Sequence, residues 1–179
     1  MVTPQEKYYK PIIVDSIIKD IDEAFKNEIK AGCVILVFSA IDAMAALAMS
    51  AEKKNVDRTA YMEWADKYMK TEPNQQYQYR PIDLYGARCG IVHRYSANSD
   101  LSDSGSCMIF VYHDGTEHYY NEKVNNNLVA ISILRLKDDF KKAVFNFLKD
   151  ALNDDSLKQR IESRIESLFH YTDVPSQLS

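Results

Sequence analysis

The chain has 179 residues, of which 46% are apolar and 27% charged, enough to bury one sizeable core in a single soluble domain. Its net charge of −4 argues against a broad basic surface for nucleic acid, and leaves room only for a small local cationic site. Three cysteines, Cys33, Cys89 and Cys107, cannot all pair and read as thiols of a reducing compartment, not as a disulfide framework.

Residues 1–10 are a polar lead-in. Lys7 and Lys10 precede an amphipathic stretch and not an apolar one, which does not fit a secretory signal. The first predicted helix covers 11–31, with Pro11 in its first turn and Gly32 as its stop. Its apolar stripe is Ile13, Ile17, Ile21, Ala24, Phe25 and Ile29, at steps of three and four. The second, 33–52, is apolar all round. A membrane span is one reading of it. The small Ala and Ser residues of its second half and the central Asp42, which a bilayer penalises, favour a buried central helix in a cytoplasmic protein. Asp42 then needs a partner: either helix ends and tyrosines, or Arg88 or His93 in front of it.

A third helix is predicted over 57–70 (Tyr61, Trp64, Ala65, Tyr68, Met69), followed by a polar loop over 71–80. Pro81 opens a fourth helix over 81–95. The stretch 96–106, SANSDLSDSGS, is the most turn-like of the chain. The period then changes. A strand over 107–112, the hairpin signal Asp114-Gly115, a return over 117–121 and a third run over 128–133 predict a small antiparallel β-meander over 107–133. The run 128–133 also fits the first turns of the next helix. His113 and His118 fall at the hairpin, as an exposed tip or as a metal-binding pair across it. Two amphipathic helices close the chain, 135–152 and 156–169, the latter capped by Ser156 and striped by Leu157, Ile161, Ile165 and Leu168. The expected fold is one mainly α domain, a bundle of about five helices with a β-insertion. There is no Cys-x2-Cys and no His-Glu-x-x-His, so neither metal nor cofactor is expected.

The chemistry concentrates in the fourth helix, where 84–95 reads LYGARCGIVHRY. Histidine titrates near neutrality and serves as acid or base. Arginine stays charged and offers a planar fork to phosphate oxygens. Metal-free transfer at a phosphate ester needs a base, an acid for the leaving oxygen and a cation for the charge that develops on the phosphoryl oxygens. His93 fits the acid/base and Arg88 the phosphate clamp. Arg94 is a second phosphate contact or a solvated charge. Arg164 and His170 repeat a similar spacing, but in a charged amphipathic C-terminal helix.

The spacing Arg88-x4-His93-x-Tyr95 resembles the motif of the HEPN family (higher eukaryotes and prokaryotes nucleotide-binding). Its members are small helical proteins, many of them metal-independent endoribonucleases. The resemblance implies an RNA substrate, a toxin, defence or stress system, and a homodimer that brings two histidines together. In HEPN toxins paired with a nucleotidyltransferase antitoxin, the tyrosine matching Tyr95 is modified with AMP. A tyrosine ending the stripe Leu84, Arg88, Ile91 also reads as packing. Cys89 stands where active members often carry a polar residue, which leaves an alternative: a catalytically silent HEPN-like module that binds RNA, a nucleotide or a protein. The β-insertion lies outside the family's minimal pattern. At about 100° per residue, Arg88 and His93 point about 140° apart, whereas Gly86, Gly90 and His93 share one face. The expected dimer packs along that glycine face, with His93 at a shared cleft.

Overall fold

The computed structural model describes residues 5–50 and 52–168. The chain enters through π-helical turns, Gln5–Ile18, that run directly into helix α1, Lys19–Lys26. Their inner face buries Tyr9, Ile13, Ile21 and Ala24. The helix does not run on to Gly32. Glu28 adopts the left-handed conformation with φ 59°. The Ile29 amide then bonds the Ala24 carbonyl at 2.9 Å and the Glu28 amide that of Phe25 at 3.1 Å. These two bonds form the Schellman pattern that ends a helix, here with glutamate in the place glycine usually takes. Gly32 lies instead in the first turn of helix α2, Lys30–Ala48.

Because α2 is apolar nearly all round, it draws covers on several faces. It packs against α1 and against α3 (Arg58–Tyr68), α4 (Pro81–Arg94), α6 (Ile133–Asn153) and α7 (Asp155–Arg164). Val34, Phe38, Ile41, Met44 and Leu47 are buried. Among the described residues it is the one helix long and apolar enough to cross a membrane, and half of it is buried inside the protein. Trp64 and Tyr68 of α3 meet Phe147 of α6 edge-on, an arrangement aromatic quadrupoles favour.

Helix α4 is fixed at its start by Asp83. Its fully buried carboxylate accepts from Tyr77 Oη, from Arg80 Nε and Nη2 (each 2.6 Å) and from the Met108 amide (2.8 Å). The helix ends at Tyr95, which is left-handed with φ 52°. A four-residue helix α5, Asp100–Asp103, follows.

The β-region differs from the predicted meander. Strands β1, Ile109–His113, and β2, Leu128–Ser132, pair in parallel, with Ile109 opposite Leu128 and His113 opposite Ser132. Asp114-Gly115 makes no hairpin, and both residues are engaged elsewhere. Asp114 pairs with Lys30, and the Gly115 carbonyl accepts from Ser132 Oγ at 2.5 Å. The chain does return, but Tyr119 bonds both backbone groups of Ala130, antiparallel, beside β2 and not β1. Nor is His118 at an exposed tip: it is 1% accessible. Its Nε2 lies 2.5 Å from Tyr79 Oη, its Nδ1 accepts from the Ser132 amide, and Tyr79 Oη donates to Asp139. Thr71 and Gln75 complete the shell of Asp139.

Ser132 ends β2 and caps α6 through the Arg135 amide. Helix α7 is capped by Asp154 and not by Ser156, since the Asp154 carboxylate accepts from the Leu157 amide at 3.0 Å. It closes in a 3₁₀ turn, Ile165–Ser167. Phe169 of the predicted last helix, and His170, lie outside the described residues.

Candidate functional site

Helices α2 and α4 bring Asp42, Arg88 and His93 into one chain of hydrogen bonds. Arg88 Nε donates to Asp42 Oδ2 at 2.8 Å, and Arg88 Nη1 lies 2.7 Å from His93 Nε2. The 140° between Arg88 and His93 on the helix does not keep them apart. Arg88 is long enough to reach round to the last turn, where His93 projects. A guanidinium only donates, so His93 Nε2 is assigned as the acceptor and Nδ1 carries the proton.

Asp42 and Arg88 are partly sheltered, with 25% and 21% of their side-chain surfaces accessible, and His93 is exposed. Burial lifts the Asp42 carboxyl above its ordinary range, against the pull of Arg88 and of His93. Burial also opposes the charge on Arg88, but the hydrogen bond and charge of Asp42 outweigh it, and the guanidinium is a firm cation. Asp42 thus has the partner its place in an apolar helix demands.

The other motif residues go elsewhere. Arg94 turns to Asp100, at 2.5 Å. Tyr95 does not pack: it is 70% exposed, and its left-handed backbone carries it off the end of the helix. The Gly86/Gly90 face is filled from within the same chain. A Cβ on Gly86 would stand 2.2 Å from Cys107 Sγ, and one on Gly90 would stand 2.7 Å from the Ser96 carbonyl oxygen. This overturns the glycine face as a dimer seam, because its close approach receives the segment 96–107. The three cysteines are free, with Cys33 and Cys107 buried and Cys89 half-buried. Burial, foremost, pushes the Cys33 thiol up to about 11. Among the described residues no three His, Cys, Asp or Glu side chains gather as a metal-ion cage.

His93 opens on a cleft of about 320 Å³ between α3, α4 and α5, walled by Arg58, Tyr85, Cys89, Arg94 and Asp100 among others. The Arg58 guanidinium sits 5.6 Å from the Tyr85 ring centre, and Tyr61 meets that ring edge-on at 5.5 Å. Arg58, Tyr85 and Asp100 were not among the expected site residues. For Tyr85 a signal existed: Tyr85, Cys89 and His93 recur every four residues along one helix face. Arg58 and Asp100 arrive from other elements, which no local pattern indicates.

Comparison of the chain with protein-family models, with curated proteins and with solved structures returned no match. The geometry of the site is therefore the ground for a functional reading.

Proposed function

We propose that the protein is a HEPN-like, metal-independent endoribonuclease of the cytoplasm. The observation that carries the reading is the Asp42–Arg88–His93 chain of hydrogen bonds ending on an exposed histidine beside a nucleotide-sized cleft. Asp42 holds Arg88 by Nε, which leaves the Nη groups for phosphate oxygens. When Arg88 Nη1 turns from His93 to an incoming phosphate, the Nε2 lone pair is released to take the proton of the 2′-hydroxyl. The 2′-oxygen then attacks phosphorus, the bond to the 5′-oxygen breaks, and that oxygen takes a proton. The products are a 2′,3′-cyclic phosphate and a 5′-hydroxyl end. One His93 per chain covers one of the two proton transfers. A homodimer formed on a face other than Gly86/Gly90 supplies the second. A toxin role, and a nucleotidyltransferase antitoxin acting on the exposed Tyr95, rest on the family resemblance alone.

Cleavage of total RNA in EDTA by wild type and by His93→Ala tests the reading. Wild-type cleavage lost in the variant supports it. No cleavage by either rejects it in favour of the silent binding module, a reading supported by the partial commitment of Arg88 to Asp42.

A further inference from the structure

We infer that the cleft beside His93 is a nucleobase subsite that takes one unpaired nucleotide of single-stranded RNA, with its base stacked against the Tyr85–Arg58 pair. The inference rests on the ribonuclease reading for the position of the phosphate, and not for the stacking.

Tyr85 offers the platform. Its ring is half-buried, met edge-on by Tyr61 at 5.5 Å and covered by the Arg58 guanidinium at 5.6 Å. Aromatic rings and guanidinium planes are the two protein surfaces on which unstacked bases lie. Arg58 is exposed and also walls a neighbouring depression with Met62 and Pro81, so its outer face is open to a strand crossing from α3 to α4. The cleft, about 320 Å³, lies at the small end of ligand-site volumes, about 300–1,000 Å³. That is room for a splayed nucleotide and not for a paired one.

Position along the helix agrees. Tyr85 and His93 both line the cleft, about 80° apart around the helix and about 12 Å apart along its axis at about 1.5 Å per residue, which leaves room for a sugar and phosphate between platform and histidine. Cys89 lies between them as a small floor. On the rim, Arg94 and Asp100 pair at 2.5 Å with both side chains largely exposed. They offer a donor and an acceptor to the edge of a base. Net charge points the same way. With 22 Lys and Arg outnumbered by 26 Asp and Glu, the chain offers no net basic surface to track a phosphate backbone, and stacking is the binding term that does not need one.

The test uses a short single-stranded RNA with 2-aminopurine scanned along it, bound to full-length His93→Ala so that cleavage does not intervene. The expected result is fluorescence quenching at one position. Tyr85→Ala in that background weakens binding about ten- to hundred-fold. Arg58→Ala, a surface change that leaves the core intact, weakens it several-fold. Tyr85→Phe, which keeps the ring, binds as the parent does, and a fully paired duplex does not compete. Unchanged affinity in Arg58→Ala and in a folded Tyr85→Ala, or equal competition by duplex, overturns the subsite. Stacking without any wild-type cleavage keeps the subsite and rejects the ribonuclease. His93-dependent cleavage with no loss in the Tyr85 and Arg58 variants does the reverse.

Discussion

Replacing Asp83 with alanine removes one acceptor from four hydrogen bonds at once. Two of the donors belong to Arg80, whose side chain is 55% accessible and regains water at little cost. The other two are the Tyr77 hydroxyl and the Met108 amide, both on buried residues, and alanine offers neither a partner. An unsatisfied buried donor costs about 1–3 kcal/mol, so the pair amounts to about 2–6 kcal/mol, with up to about 1 kcal/mol more for the lost anion in the first turn of α4. A loss of about 4 kcal/mol is the central expectation, against a typical total of about 5–15 kcal/mol. Asp83→Asn keeps one carbonyl acceptor and should lose about half as much. Urea denaturation followed by circular dichroism measures both. The midpoints should fall in the order wild type, Asn, Ala, with little change in slope. An alanine variant within about 0.5 kcal/mol of wild type, the range of an ordinary surface change, would refute the reasoning and show that α4 is anchored by something else.

Two further outcomes follow from the packing and charge of the fold. Gly86→Ala should lower the melting temperature. The helix-propensity gain of about 1 kcal/mol is outweighed by a Cβ placed 2.2 Å from Cys107 Sγ, an overpacking loss of about 1–3 kcal/mol. Adding Cys107→Ala should recover most of it, and a stabilised Gly86→Ala would show that 96–107 does not pack there. For Asp139, burial pushes the carboxyl up, but His118, Gln75, Thr71 and Tyr79 together pull it below its ordinary range. A depressed carboxyl contributes stability above its unfolded value, and that contribution is lost as pH falls through the folded one. Asp139→Asn should therefore be less stable at neutral pH and should lose less than wild type as pH drops below about 4. Parallel stability–pH curves would contradict this.

The helices were legible where one face is apolar and the other wet. The stripe through Phe140, Ala143, Val144, Phe147 and Ala151 gives α6 directly, and the uniform apolarity of 33–48 marks α2 as the centre. What escaped was set by contacts distant in sequence. Glu28 ends α1 in a conformation its composition does not advertise, while Gly32, the conspicuous stop, sits in a helix. Asp114-Gly115 has hairpin chemistry, yet the chain after it crosses over to place Tyr119 antiparallel beside Ala130, and β2 then runs parallel to β1. At the site, Asp42 called for a partner and Arg88 is that partner. The helical wheel placed Arg88 and His93 apart because it tracks Cβ directions and ignores the reach of an arginine. Gly86 and Gly90 do mark a close approach, but its occupant is the segment 96–107 of the same chain and not a second copy.

The most direct test of the central claim is to identify the termini that wild-type protein and His93→Ala produce from a labelled single-stranded RNA in EDTA. The expected result is 2′,3′-cyclic phosphate and 5′-hydroxyl ends from wild type and background cleavage from the variant. Equal cleavage by both proteins, 5′-phosphate ends, or intact RNA with both would contradict a metal-free reaction centred on His93.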